Sequence, residues 1–170
     1  MAELTPQERL QPALLDRLVD EAPEEKQEAH AGRVLGKERL RAAVLRDLAW
    51  LFNCARPGAG TGLQDYGQVR RSVLNFGLPA MAGETASTLD LMGIERGIMQ
   101  AILDFEPRIV PASLQVRALE LDSLLDQHNI VRIEIRGDLW AHPVPLEMCL
   151  RTEVDLETGV VELVDLGKGG

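Results

Sequence analysis

A chain of 170 residues, 45% hydrophobic and 26% charged, is sized for one compact domain with a real core. Its formal net charge of -9 excludes the concentrated basic surface that free nucleic acid requires. An aromatic content of 4% argues against sugar or base sites built on stacking platforms, and no apolar run approaches the roughly 20 residues that span a bilayer. Cys54 and Cys149 show neither metal-ligand nor disulfide spacing and read as reduced thiols. "MAELTPQERLQP" lacks the basic and apolar regions of a secretory leader, so the expected location is the cytoplasm.

The first expected element lies in "LTPQERLQPALLDRLVDEAP". Leu14, Leu15 and Leu18 form a short apolar stripe, with Asp16 and Arg17 pointing elsewhere, which reads as a small docking helix. The acidic "EAPEEKQEAHAG" has no apolar period and reads as a solvated linker. Residues 1–37 are thus expected to form a docking helix and linker, 38–166 the folded domain, and 167–170 a flexible tail.

"GKERLRAAVLRDLAWLFN" predicts a long helix, because Leu40, Val44, Leu45, Leu48, Leu51 and Phe52 recur at spacings of three and four. Arg41, Arg46 and Asp47 fall mostly off that face. "ARPGAGTG" stops the helix. "LQDYGQVRRSVLNFGLPAMAG" has no clean period and reads as a long structured loop with an apolar patch at Val73, Leu74 and Phe76. In "STLDLMGIERGIMQAILDF" a second helix buries Leu91, Ile94, Ile98, Ala101, Ile102 and Phe105, with Ser87, Thr88 or Asp90 as its N-cap. Gly93 and Gly97 cost helix propensity there, and a close helix crossing would explain both.

Beyond Pro111 the period changes to two. "SLQVRALEL" alternates and then shifts phase near Leu119 and Leu121, as a bulge would produce. "NIVRIEIRG" puts Val131, Ile133 and Ile135 on one face and Arg132, Glu134 and Arg136 on the other. "PLEMCLRTEVDL" aligns Leu146, Met148, Leu150 and Thr152, and Thr158-Gly159 turns the chain into a last strand. The expected fold is α+β in one domain, with N-terminal helices packed on a C-terminal antiparallel or mixed four-stranded sheet.

Between helices and strands stands "LDFEPRIVP". Pro107 disfavours helical geometry at Glu106, and Pro111 does the same at Val110, so residues 106–111 are expected to be stiff and extended. Glu106 and Arg108, two apart, then project to one side as an acceptor fork and a donor fork. One reading is a docking corner for neighbouring proteins. The other is a glycosidase with Glu106 as general acid, which needs a second carboxylate roughly 5 to 9 Å away. Asp104, Glu95 and Glu84 are the available seconds, none with a spacing argument. His30, His128 and His142 are scattered without metal spacing, "RPGAGTG" lacks the lysine of a phosphate loop, and no nucleophile elbow is present. Neither a metal nor a cofactor is expected.

Taken in order, "LLDRL", "LRDLAWLFN", "RSVLNFGLP", "FEPR" and "RTEVDLETGVVEL" resemble the small baseplate wedge family of contractile injection machines, including the TssE-type subunits of bacterial type VI secretion and a homologous phage wedge protein. The resemblance runs from about Leu14 to Leu163. It implies a non-enzymatic scaffold, although the phage members have carried a lysozyme label. It also implies a place beside TssF and TssG in a wedge, with TssK nearby, where the TssB/TssC sheath begins. The sheet would be similar to the interlocking sheet of the sheath subunits and would help to start their polymerisation. The setting would be a cytoplasmic baseplate docked at the inner-membrane complex, with no direct membrane insertion. The family's Glu-Pro-Arg motif maps onto Glu106, Pro107 and Arg108, where it is implied to hold the wedge's core contacts. Partner contacts are also expected from Arg132, Glu134 and Arg136 on the sheet and from Leu14, Leu15, Asp16, Arg17 and Leu18 at the start. The chain departs from the family pattern at Cys54-Ala55-Arg56, where Thr-Arg is common after the asparagine, and at Ala80, where an acid is usual.

Overall fold

The computed structural model describes residues 13–18, 24, 36–57, 62, 65–80, 90–119, 130–141 and 144–167. Helices come first: α1 (Leu14–Leu18), α2 (Lys37–Phe52), α3 (Gly67–Arg70) and α4 (Leu91–Phe105). Strands follow: β1 (Gln115–Ala118), β2 (Ile130–Leu139), β3 (Leu146–Asp155) and β4 (Val161–Asp165). All neighbours pair antiparallel in the order β1-β2-β3-β4, a simple meander. The architecture is α+β, as the change of period from 3.6 to two implies.

α2 and α4 cover one face of the sheet, and the core lies between. Leu48 and Ile102 from the helices and Val131, Ile133, Ile135, Met148 and Leu150 from the strands are all fully enclosed. Each such side chain contributes about 1.5–3 kcal/mol by leaving water. The alternation in β2 survives intact: its inward residues are buried while Arg132, Glu134 and Arg136 stay on the wet face.

The helix ends follow local chemistry. Asp90 caps α4, its Oδ1 accepting from the Gly93 amide at 2.9 Å. Ser87 and Thr88, the alternatives, lie outside the described residues. The expected helix crossing is not what the α4 glycines serve. A Cβ on Gly93 would collide with the capping Asp90 side chain, and one on Gly97 would meet, among the described residues, Pro79 alone, at 3.8 Å. At its C-terminus α2 closes on Asn53, whose Nδ2 donates to the Ala49 carbonyl at 2.8 Å and to the Val161 carbonyl at 2.9 Å. Asn53 Oδ1 accepts from the Val161 amide at 3.0 Å, so one side chain stitches the helix end to β4.

The long loop contains α3 and a second short turn at Val73–Asn75. Its apolar patch splits: Val73 and Leu74 are exposed, while Phe76 packs edge-on against Phe105 with centroids 5.3 Å apart. Leu78 then pairs beside Ala55, donating to the Cys54 carbonyl and accepting from the Arg56 amide, both at 2.8 Å. Gly77, at φ +117°, makes that approach possible, because a Cβ there would strike the Cys54 carbonyl. Leu121, within the stretch where the bulge is expected, the linker apart from Glu24, and the three histidines lie outside the described residues.

Candidate functional site at the proline corner

α4 stops where Pro107 requires it: Glu106 has φ -120° and ψ 79° and is the C-cap. The following segment is not extended throughout. The Ile109 amide donates to the Glu106 carbonyl at 3.3 Å, so residues 106–109 form a turn. Only then does the chain run alongside the end of β2, with the Val110 amide on the Asp138 carbonyl at 2.8 Å and the Trp140 amide on the Arg108 carbonyl at 2.7 Å. Backbone pairing with β2 wins over continued extension from Glu106. Gly137 leaves room for it, since a Cβ there would lie 3.3 Å from Ile109.

The turn makes the two forks meet each other. Arg108 Nε donates to Glu106 Oε1 at 2.7 Å and Nη2 to Oε2 at 2.5 Å. The Arg108 amide adds a third bond to Oε1 at 3.1 Å. Glu106 is only 4% exposed, so this grip is what makes its burial tolerable at a helix C-terminus, where a negative charge is unfavourable.

The pair is one end of a longer chain of charges. Arg108 Nη2 also reaches Asp47 Oδ2 at 2.6 Å. Asp47 Oδ1 accepts from Arg46 Nε and Nη2 at 2.9 and 2.8 Å. Arg46 Nη1 donates to Asp16 Oδ1 at 2.5 Å, which ties α1 to α2. Asp16, Arg46, Asp47, Arg108 and Glu106 thus alternate in sign across α1, α2 and the corner. Burial lowers the Arg108 pKa, but its bonds and charge attraction to Glu106 and Asp47 outweigh that, and the net shift is upward. The Arg46 pKa is also raised, chiefly by its bond to Asp16; burial opposes that, and the bond and attraction to Asp47 add to it. Asp16 Oδ2 and Arg108 Nη1 are buried without a hydrogen-bond partner among the described residues.

The sequence singled out Asp16, Glu106 and Arg108 separately, and the structure brings them together. It missed the link, Arg46 and Asp47, because off-face charges on an amphipathic helix are ordinarily solvated. Asp16 points away from the leucine stripe and onto α2, where it meets Arg46. The stripe is the outer face of α1: Leu14 is 71% and Leu18 73% exposed, with Leu15 less so. The side chain of Arg17 lies outside the described residues. Arg41, also off-face, is buried and forked onto Asp165 at 2.6 and 2.5 Å, with a third bond to the Glu147 carbonyl at 3.1 Å.

The sheet charges form a separate group on the wet face. Arg132 Nε meets Glu153 Oε1 at 3.0 Å across strands, and Arg136 Nε meets Glu134 Oε1 at 2.7 Å along β2. Gln115, Arg117, Glu134 and Arg136 line a shallow cleft there.

Chemically, the corner is closed. Both Glu106 oxygens are held by Arg108, and the residue is buried. Asp104 pairs with Arg71 at 3.6 Å, and Glu95 Oε1 accepts from the Ala118 amide at 2.6 Å, so both serve internal contacts. Glu84 lies outside the described residues. Among the described residues no cluster of His, Cys, Asp and Glu could hold a metal, and no helix is long and apolar enough to cross a membrane.

Neither a curated protein nor a solved structure matches the chain. A family model does, that of baseplate wedge protein gp25, over residues 38–144. That span begins with α2 and ends before β3, so it takes in Arg46, Asp47, Glu106, Arg108 and the charges of β2, and leaves out α1. The match covers more than half of the chain, which therefore belongs to the baseplate wedge protein gp25 family, a family of structural components of contractile baseplates.

Proposed function

We propose that this chain is a wedge scaffold of a type VI secretion baseplate, linking the wedge to the contractile sheath and helping to start sheath polymerisation. In this reading it works without catalysis, in the cytoplasm, in a baseplate docked at the inner-membrane complex. Its neighbours are TssF, TssG and TssK in the wedge and TssB/TssC in the sheath. The carrying observation is the closed corner: Glu106, Pro107 and Arg108 serve a rigid joint between helix and sheet rather than an open cleft.

Two surfaces suit docking onto such a rigid body. Leu14, Leu15 and Leu18 offer an apolar stripe on an element held from behind by Asp16, with Arg17 beside them in sequence. Arg132, Glu134 and Arg136 offer a patterned charged face that selects partners by complementarity. The test is co-purification from cells with identification of what accompanies the chain. TssF and TssG support the reading, and their absence from a folded, intact preparation removes it. The competing peptidoglycan-cleaving activity, with Glu106 as general acid, is tested by a zymogram of wild type and Glu106→Gln. A cleared band lost in the variant would favour it.

A further inference from the structure

The wet face of the sheet is not evenly charged. The registers Arg117↔Glu134 and Glu134↔Arg151 set three charged residues in one row across β1, β2 and β3. Strand alternation puts Arg136 on the same face, in the next row. One carboxylate therefore lies among three arginines. Arg136 takes it, with Nε on Glu134 Oε1 at 2.7 Å. Among the described residues the side chains of Arg117 and Arg151 make no hydrogen bond or ion pair, and Arg151 Nε is buried without a partner.

The neighbouring rows do not supply the missing acids. Glu153 is already taken by Arg132 at 3.0 Å. Asp138 and Glu147 pair with each other by register, beyond the row of Arg136 and Cys149. A chain with a net charge of -9 thus carries a local basic excess at the cleft lined by Gln115, Arg117, Glu134 and Arg136. Guanidinium forks match carboxylates, which they bind with two parallel bonds. Each exposed contact of this kind is weak, so an isolated small anion gains little here. A segment that makes two such contacts at once gains far more, because the second contact forms within the first complex.

We propose that this row is a docking site for an acidic segment of a partner protein, laid across the strands with one carboxylate on Arg117 and a second on Arg151. Glu134, held by Arg136, repels an acid from the middle, so the two carboxylates straddle it. Arg117 and Arg151 stand on the two strands that flank β2, about 10 Å apart at the backbone. Acids two or three residues apart in an extended segment span about 7 to 10 Å, which the long arginine side chains can meet. The contact is made by side chains over the face of the sheet and leaves its edge strands as they are. A net charge of -9 disfavours both a second copy and a nucleic acid as the occupant. The assignment rests on the scaffold reading and names the chemistry of one partner contact.

The test follows the arginine Nε–H resonances of the full chain by NMR while a peptide of alternating glutamate and threonine is added. The expected result is a saturable shift at Arg117 and Arg151, absent with the glutamine-for-glutamate peptide. Arg117→Gln with Arg151→Gln should weaken binding roughly tenfold. Arg96→Gln, on the exposed side of α4, should leave it unchanged. Should the double variant fail to fold, the wild-type titration decides alone. Equal shifts from both peptides, shifts confined to other arginines, or none at millimolar peptide overturns the proposal. So does inorganic phosphate that moves both arginines as strongly at the same concentration, which would assign the site to a small anion. Shifts that grow with protein concentration alone would assign it to a second copy. Co-purified wedge proteins with unmoved arginines would remove the site and keep the scaffold. Peptide bound at both arginines without wedge proteins would do the reverse.

Discussion

Asp47 and Arg108 stand 61 positions apart and meet at 2.6 Å, which makes the middle of α2 the anchor of the proline corner. Through that contact the end of one helix is fixed by another before the chain enters the sheet. Arg108 is bound on both sides, to Asp47 of α2 and to Glu106 of its own turn.

Removing Arg108 leaves Glu106 buried without its counter-charge. Arg108→Ala is expected to cost about 3 kcal/mol, the scale for breaking one partner of a buried pair. Arg108→Lys keeps the charge but not the two-pronged geometry, and should fall between the two. Urea unfolding midpoints check the order. Equal midpoints for wild type and Arg108→Ala would show that the corner is not held by this pair.

The Asp47–Arg108 contact is testable apart from Glu106. A double-mutant cycle with Asp47→Asn and Arg108→Ala should give a coupling of about 1–2 kcal/mol, within the range for contacting charged residues. A coupling near zero would mean that Asp47 serves Arg46 alone.

Asn53→Ala should cost about 1–2 kcal/mol, because it strips partners from both main-chain groups of Val161. The Val161 amide should then exchange faster while the central β2 amides do not, a pattern that amide exchange resolves residue by residue.

The β3–β4 turn carries a pH signature. Asp155 Oδ1 accepts from the Thr158 and Glu157 amides, and these bonds hold its pKa below the ordinary 3.8. A carboxylate depressed in the folded state stabilises above its unfolded value and loses that contribution as pH falls through the folded one. Wild type should therefore be steadied relative to Asp155→Asn at neutral pH. The difference should shrink below about pH 4, as melting curves across that range would show.

The leucines of α1 carry little of the fold, since Leu14 and Leu18 are mostly exposed. Replacing Leu14, Leu15 and Leu18 with serine should leave the melting temperature nearly unchanged, as surface substitutions do, and weaken co-purification of partners. A large drop in melting temperature would instead make the stripe part of the core.

Much of this protein is determined by its sequence alone. The 3.6 and two-residue periods fix α2, α4 and the strands, because burying one face of a regular element is a local demand on spacing. Pro107 fixes the end of α4 for an equally local reason, the clash with the residue before it. The ion-pair chain was decided only by tertiary structure. Arg46 and Asp47 look like ordinary solvated charges until folding brings Asp16 and Arg108 beside them, and Glu106 looks free until its turn closes. The ties of β4 and β1 to the helices likewise form only when Asn53 and Glu95 arrive beside them. Charge partners and such ties depend on which elements lie side by side, and periodicity within one element carries no information about its neighbours.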